Sequence, residues 1–481
     1  MSVLRRAWFP AALLATGIGV RAVQARGALL YPDGYQYLLM ARGIAAHLRP
    51  VLELGRGGDH FVPSADAAAK PLFPALIALT HGLGLSWTGA ARGVSVVAGG
   101  AAAALCGLVA TRLAGSRTVG AAAAVLVLLD PLSRYWAAYS SPDGLGQALA
   151  LGCVLALLSR RPRPAGVLAG LAVFARPELG LLLAAGAVVA AVQPAHRRAA
   201  LTYLTATLCT ATCVLAALRP PLGLHAIQLG ETAAGVLALG ALALLAPPWA
   251  AVAAGIAGLF AVGLLAPALQ QLAARDVPLV ALAIAGVVLA RRARPAAVLA
   301  VAACALAVVY DLKNGASSRY AVQLVPLAAL GAAAGARAAV TPRARRAVLV
   351  AGASAVAAAA ALAAPPPPAA DMFGAVAREL PRAQTPLVTA AADAYGFLLY
   401  PRPVRTLVRG SHGLLLLDAA ARAYDPGISA RGKVLARLAP GNGFLRPDGT
   451  LDLRSALLVS GTAVQARASS LATNRQASSS P

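Results

Sequence analysis

Long apolar segments separated by short basic hinges run along the chain as far as residue 364. A helix that crosses a bilayer needs about 20 apolar residues. The run 165–192 is too long for one helix and is broken by Arg176, Pro177 and Glu178, so it predicts a hairpin of two short helices. With that hairpin, the pattern predicts an all-α polytopic protein of about 13 transmembrane helices. The other spans are expected at residues 7–25, 89–110, 119–132, 145–158, 200–218, 232–245, 250–265, 277–289, 296–310, 320–336 and 347–364.

The arginines of the hinges predict how the chain is oriented. Under the positive-inside rule, arginine-rich hinges face the cytoplasm. The polar motifs around Asp33, Asp143, Arg176 and Arg319 then face outward, and an odd number of spans leaves the C-terminus outside. We therefore expect an active site that faces the outside. The basic hinges contain Arg5, Arg6, Arg112, Arg117, Arg160, Arg161, Arg163, Arg197, Arg198, Arg291, Arg292, Arg294, Arg343, Arg345 and Arg346.

Composition confirms that the chain belongs in a membrane. Hydrophobic residues make up 59% of it and charged residues 12%, with a mean hydropathy of +0.72, whereas soluble globular proteins have about 25% charged residues. The net charge of +25 would suggest nucleic acid in a soluble chain. Here the arginines lie in short hinges, so topology and anionic lipid explain them, and no nucleic-acid partner is expected. Abundant alanine and arginine are typical of a GC-rich bacterial genome, which predicts the bacterial plasma membrane.

The first outer segment, residues 27–87, is only partly apolar. It follows the span 7–25, which we expect to remain as an uncleaved anchor rather than a signal peptide. Two short helices are predicted within the segment, at 34–47 and 71–85. Both are too polar or too short to span a bilayer, so they are expected to lie along the membrane surface. The transmembrane domain, with this segment included, is predicted to cover residues 1–364.

A second domain is predicted after the four prolines at 365–368, which with the next residues form a stiff linker at 365–370. Charges return from Asp371 onward, and short apolar runs at 387–389, 404–408, 414–417 and 457–459 alternate with helical patterns at 372–380 and 419–424. This pattern predicts a small extracytoplasmic α/β domain at 371–468. The serine-rich tail, 469–481, is expected to be disordered.

Two carboxylates are the candidate catalytic groups, and each also has a structural interpretation. Asp33 precedes the helix expected at 34–47, so its carboxylate serves either as a helix N-cap or as a general base at the membrane surface. Asp143 follows Pro142 at the start of the span 145–158, where an acid is ordinary helix-start chemistry. Arg134 and several aromatic residues crowd the same outer loop, which favours a functional role for Asp143.

Arginines and a lysine at the outer edge are candidate ligands for a phosphate. Arg176 lies at the break between two half-length helices, where a charge is costly unless it lines a polar cavity. It is either a phosphate ligand, since guanidinium binds phosphate oxygens in a bidentate way, or an interfacial charge paired with Glu178. Arg319, with Lys313 nearby, is a second candidate that is equally explained as an interfacial charge.

The order of these motifs resembles that of the GT-C superfamily of integral membrane glycosyltransferases, which includes protein O-mannosyltransferases and aminoarabinose transferases. After a first span come Pro-Asp-Gly-Tyr at 32–35 with a surface helix, Lys-Pro-Leu-Phe-Pro at 70–74, and the loop 134–143. The segment 166–178 (GVLAGLAVFARPE) and Ser-Arg-Tyr at 318–320 follow. The resemblance covers residues 7–340, and the order is more specific than any single motif.

The resemblance implies transfer of a sugar from a polyprenyl-phosphate donor to an extracytoplasmic glycan, lipid or protein. Asp33 would match the first-loop catalytic acid and Asp143 the acid of the second outer loop. Members of the superfamily often carry a second acid after the first, where this chain has Gly34. The cations that would bind the donor phosphate are Arg134, Arg176, Lys313 and Arg319.

No obligatory metal or other cofactor is expected, because no Asp, Glu or His cluster has the spacing of a metal site. Two other classes of protein remain open. A transporter or flippase of lipid-linked or small solutes would also have many spans, but it should show internal repeats and polar residues at mid-membrane. A catalytically inactive lipid-binding scaffold would tolerate replacement of Asp33.

Overall fold

The computed structural model of the chain describes two compact units, one drawn from residues 1–27 and 68–366 and the other from 28–67 and 367–481. The described residues are 2–27, 29, 33–54, 60–61, 70–180, 197–218, 322, 325–326, 328–330, 372–381, 385–408, 410–418, 421, 428–438, 444–445, 451–452 and 456–465.

Helices account for most of the described part of the first unit. Of the helices before residue 218, the one at Asp33–His47 belongs to the second unit. As far as residue 218, the helices are α1 (Ser2–Gln24), α2 (Asp33–His47), α3 (Leu72–Gly82), α4 (Trp87–Ala114), α5 (Arg117–Leu129), α6 (Pro131–Ala137), α7 (Asp143–Leu158), α8 (Pro162–Ala175) and α9 (Arg197–Leu218).

Helix α4 shows how local sequence sets the limits of an element. The side chain of Ser86 accepts a hydrogen bond from the backbone N–H of Gly89 at 3.1 Å, which caps the start of the helix. Gly115 ends it in the left-handed conformation, with φ of 67°. Among the described helices, α4 and α9 are long and apolar enough to cross a membrane, and a third span results if the bent pair α5 and α6 is counted as one.

The span predicted for 119–132 is broken in the structure. Helix α5 ends at Leu129, and α6 begins at Pro131 at an angle of 59° to it. Asp130 lies between them, and its carboxylate accepts a hydrogen bond from the backbone N–H of Ser133. Proline cannot continue a helix but suits the first position of a new one, so an Asp-Pro pair ends α5 and caps α6.

Glycines allow the helices of the first unit to cross at backbone distance. A Cβ on Gly17 of α1 would lie 2.5 Å from the carbonyl oxygen of Gly100 on α4. The crossing of α4 with α5 depends in the same way on Gly107 and Gly120. Small residues at such crossings maximise van der Waals packing between membrane helices.

Adding one methyl group at the α1–α4 crossing is expected to destabilise the protein. In Gly100→Ala the new Cβ would lie 2.5 Å from the backbone nitrogen of Ile18, so the helices must separate at a cost of about 1–3 kcal/mol. The matched control is Gly93→Ala on the same helix, where the Cβ meets nothing within 4 Å and alanine should stabilise by up to about 1 kcal/mol. Thermal unfolding of both variants in one detergent should give shifts of opposite sign.

The predicted break at Arg176 and Pro177 is present. Helix α8 ends at Ala175, Arg176 has extended backbone angles, and a short 3-10 turn follows at Pro177–Gly180. The second half of the predicted hairpin lies outside the described residues. So do most of the spans predicted after residue 218, the linker 365–370 and the tail 469–481. The total of about 13 helices therefore stays a prediction.

A mixed five-stranded sheet forms the centre of the described second unit. The elements are β1 (Leu52–Glu53), β2 (His60–Phe61), α10 (Met372–Glu379), β3 (Leu387–Thr389), α11 (Ala392–Leu398), β4 (Val404–Thr406), β5 (His412–Leu417), β6 (Ile428–Leu438), β7 (Phe444–Leu445), β8 (Leu451–Asp452) and β9 (Ala456–Gln465). In the sheet, strands β3, β4 and β5 run parallel, and β9 pairs antiparallel with β5 and β6, in the order β4-β3-β5-β9-β6.

Residues 28–67 belong to this second unit, although they were predicted as part of the transmembrane domain. Gln36 of α2 donates from Nε2 to Asp393 Oδ2 at 3.2 Å, and the ring of Tyr35 meets that of Phe373 edge-on at 5.6 Å. The backbone N–H of Val404 donates to the carbonyl of Leu54 at 2.9 Å. These contacts join segments that are far apart in sequence. Ten of the fifteen residues of α2 are buried, which differs from the surface helix expected there.

Candidate functional site

A buried arginine from α1 holds the break between α5 and α6. Arg21 is 5% exposed. Its NH2 donates to the carbonyl of Val127 at 3.1 Å and to Ser133 Oγ at 2.7 Å, and its NH1 donates to the carbonyl of Ser133 at 3.1 Å. The same NH1 reaches Gln24 Oε1 at 2.7 Å, and Gln24 donates to the carbonyl of Leu128 at 2.9 Å. Arg21 and Gln24 therefore satisfy carbonyls that the broken helix leaves without partners.

Replacing Arg21 with Ala is expected to destabilise the first unit strongly. The change removes the donor for two carbonyls and one hydroxyl and leaves the fully buried Asp130 without its neighbouring cation, a loss of about 3–5 kcal/mol. Arg26→Ala, at an exposed arginine just beyond α1, is the matched control. Thermal unfolding should separate the two variants, and equal melting temperatures would contradict the role assigned to Arg21.

The loop that leads from α6 to Asp143 is fixed to α4. The hydroxyl of Ser95 donates to the carbonyl of Ser141 at 3.2 Å and accepts from its N–H at 3.0 Å. A Cβ on Gly144 would lie 2.9 Å from the backbone nitrogen of Gly99, so α7 begins against the backbone of α4. Together these contacts define where Asp143 stands.

Asp143 and Arg176 form a buried ion pair. Arg176 NH1 lies 3.2 Å from Asp143 Oδ1, and the two side chains are 1% and 6% exposed. Asp143 is the first residue of α7, where the helix dipole favours a negative charge. A Cβ on Gly146 would lie 2.5 Å from Cγ of Arg176, so glycine at that position makes room for the arginine. The structure thus joins two of the predicted site residues.

A cavity of about 40 Å³ is lined in part by Asp143 of this ion pair. Its wall includes Arg21 from α1, Ser95 from α4, and Trp136, Tyr139 and Asp143 from the chain between α6 and α7. Burial raises the pKa of Tyr139, and the neighbouring Tyr135 adds to the rise. The phenol therefore stays protonated at neutral pH and can donate a hydrogen bond.

Comparison with solved structures shows the fold. The chain matches ArnT from Cupriavidus metallidurans in the apo state with a TM-score of 0.54 and 15% identity, over 95% of this chain and 98% of that one. The same protein bound to undecaprenyl phosphate gives 0.51 and 14%, over 93% and 97%. The fold is that of the GT-C glycosyltransferases.

A larger GT-C protein gives a similar score over a smaller share of its length. An oligosaccharyltransferase of Archaeoglobus fulgidus, tethered to an acceptor peptide, matches with a TM-score of 0.53 and 12% identity. The match covers 84% of this chain and 64% of that one, so the present chain spans less than two thirds of it. No protein-family model and no curated protein matches the sequence.

Two of the other predicted site residues are described, one in each unit. Asp33 is half-buried and is the first residue of α2 in the second unit, so it stands at a helix start as expected. Arg134 lies half-buried on α6 in the first unit. Lys313 and Arg319 lie outside the described residues. Glu178, the alternative partner for Arg176, has no described side chain, and the described partner is Asp143.

Three charged residues that are buried in the structure were not among the site residues predicted from the sequence. They are Arg21, Asp130 and Lys70, which are 5%, 0% and 2% exposed. A charge inside an apolar span is a recognised signal of function, and it applies to Arg21. An Asp-Pro pair inside a predicted span is the corresponding signal of a capped break, and it applies to Asp130.

Proposed function

We propose that this chain is a bacterial plasma-membrane glycosyltransferase that transfers a sugar from a polyprenyl-phosphate donor to an acceptor at the outer face. The observation that carries the proposal is the likeness of the fold to ArnT over nearly the full length of both chains. ArnT has been seen with bound undecaprenyl phosphate, which supports a donor of that chemical class here. The acceptor in this proposal is an extracytoplasmic glycan, lipid or protein.

The proposed reaction breaks one bond and forms one at the anomeric carbon of the donor sugar. The bond from that carbon to the phosphate oxygen breaks, and polyprenyl phosphate leaves with the electron pair. An acceptor hydroxyl or amine attacks the same carbon and loses its proton to the carboxylate of Asp33. General-base catalysis of this kind contributes about 10²–10⁴-fold to a rate.

Asp143 and Arg176 have linked roles in this proposal. The charge of Arg176 is already balanced by Asp143 at 3.2 Å, which supports Arg176 as the residue that positions the Asp143 carboxylate rather than as the main phosphate ligand. The donor phosphate then depends on Arg134, Lys313 and Arg319. Because such cations balance the negative charge of the leaving phosphate, no metal or other cofactor is obligatory in this scheme.

The test is transfer of a labelled sugar in membranes. Membranes that contain the chain and matched membranes that lack it are given undecaprenyl phosphate carrying radiolabelled glucose, mannose or arabinose. The proposal expects label from at least one donor to move into a glycan, lipid or protein fraction only when the chain is present. Absence of that movement for every donor, with the chain folded and abundant, contradicts the proposal.

A further inference from the structure

The cavity lined in part by Asp143 contains a donor group that the described part of the first unit leaves unused. Among the described residues, the indole N–H of Trp136 is buried and has no hydrogen-bond partner. The hydroxyl of Tyr139 is also buried, with Tyr135 as its neighbour. Both side chains line the cavity. Buried polar groups in folded proteins are nearly always hydrogen-bonded, so an unsatisfied indole N–H on a cavity wall needs an explanation.

The charges around this cavity are balanced in pairs. Of the lining residues, Arg21 and Asp143 carry a formal charge. Arg21 lies in the electrostatic field of Asp130, and Asp143 pairs with Arg176. Among the lining residues that the structure describes, no cation remains to balance the charge of a phosphate, and burying an uncompensated charge is strongly unfavourable. This balance favours an uncharged ligand.

Hydroxyl groups fit the donors and acceptors of the wall. An indole N–H only donates, an ionised carboxylate only accepts, and a hydroxyl does both. A ligand with neighbouring hydroxyls can accept from Trp136 and Tyr139 and donate to Asp143. The cavity volume of about 40 Å³ exceeds the roughly 10–15 Å³ that one water molecule needs. It therefore has room for more than one hydroxyl group of a ligand.

We propose that this cavity is a subsite for hydroxyl groups of the donor sugar, in which Trp136 and Tyr139 donate and Asp143 accepts. The assignment rests on the glycosyltransferase activity proposed above and deepens it, because it separates recognition of the sugar from recognition of the phosphate. It also makes the subsite selective. A site built to bind a hydroxyl discriminates strongly against an analogue that lacks it, because its buried groups then lose their partner.

Binding by the purified full chain in nanodiscs tests the subsite. The probes are bare undecaprenyl phosphate and the same lipid phosphate carrying glucose, mannose or arabinose. The variants are Trp136→Phe and Tyr139→Phe, which keep a ring and remove one donor, with Trp8→Phe at an exposed tryptophan as the control. We expect each cavity variant to weaken binding of the preferred sugar-loaded lipid about five- to tenfold. Binding of the bare lipid phosphate should not change, and Trp8→Phe should change neither.

Two results would overturn the subsite and leave the proposed transfer standing. The first is an unchanged preference for the sugar-loaded lipid in both cavity variants of an enzyme that still transfers sugar, as expected if the cavity holds only water. The second is an equal loss of binding for the bare lipid phosphate, which would make this a phosphate site. A wild type that neither transfers sugar nor distinguishes loaded from bare lipid would instead overturn the proposed function.

A substitution-free measurement covers the case in which a cavity variant fails to fold. Monodeoxy forms of the preferred sugar, each linked to undecaprenyl phosphate, are bound to the wild type. The subsite predicts that at least one missing hydroxyl weakens binding about tenfold or more. Equal affinity for every monodeoxy donor contradicts it.

Discussion

Replacing Asp33 with Asn is expected to lower the rate of sugar transfer by about 10²–10⁴-fold while the protein still folds. The amide cannot accept the proton of the acceptor, so the base of the proposed reaction is lost. Folding should survive because Asp33 begins α2, and asparagine caps a helix start about as well as aspartate. Initial rates of label transfer at equal protein concentration measure the effect.

The control for Asp33→Asn is Glu379→Gln, the same acid-to-amide change at an exposed residue of α10 in the same unit. It is expected to leave the transfer rate unchanged. A rate within twofold of wild type for Asp33→Asn would remove Asp33 from the chemistry and leave it as a helix cap. Equal loss in both variants would point to damage of the second unit rather than to a missing base.

Replacing Arg176 with Ala is expected to destabilise the protein by about 3–5 kcal/mol. The change leaves the Asp143 carboxylate buried without its cation, and both side chains are almost completely inaccessible, at 1% and 6% exposure. Arg163→Ala, at an exposed arginine on α8, is the matched control and should cost little. Thermal unfolding in nanodiscs compares the two.

Removing both charges together shows whether the loss comes from the ion pair. The double variant Asp143→Asn with Arg176→Ala has no buried charge at this position, so it should be more stable than Arg176→Ala alone. If the double variant loses stability equal to the sum of its single variants, the two side chains do not interact. That outcome would contradict the pairing on which the position of Asp143 depends.

Local signals in the sequence predict a helix well where its capping residues and the length of its apolar run indicate the same limits. Helix α4 was expected at 89–110 and occupies Trp87–Ala114, because Ser86 and Gly115 mark its ends. The break after α8 was predicted from Arg176 and Pro177 and is present. The equivalent break at Asp130 and Pro131 was missed, because the apolar run on either side is short enough to be taken as one span.

Pairings between distant segments could not be predicted from such signals. Asp143 and Arg176 were each identified as candidates, yet the sequence offered Glu178 as the partner of Arg176. Packing of α7 against α8 brings Asp143 to Arg176, and the pairing with Glu178 stays a prediction. In the same way, nothing local in residues 28–67 indicates a hydrogen bond from Gln36 to Asp393. Contacts of this kind depend on tertiary packing, which a local pattern does not encode.

The second unit shows the same limit for strands. The apolar runs at 387–389 and 414–417 correspond to β3 and to most of β5. Strand β6, Ile428–Leu438, was not predicted, because Arg431, Gly432 and Lys433 interrupt any apolar alternation. Gly432 adopts a φ of 155°, and a Cβ there would lie 2.1 Å from the carbonyl oxygen of Ser460. The close approach of β6 to β9 therefore requires glycine at position 432, although glycine in a sequence usually indicates that a strand is interrupted.

The most direct test of glycosyl transfer uses a donor with two labels. Purified protein in sealed vesicles receives undecaprenyl phosphate labelled with ³²P and carrying a ³H sugar, together with an extract that supplies acceptors. The proposed function predicts that ³H moves to the acceptor fraction while ³²P stays with the lipid, and that Asp33→Asn prevents the separation. If both labels instead cross the bilayer together on an intact donor, the chain is a transporter, and the catalytic account is wrong.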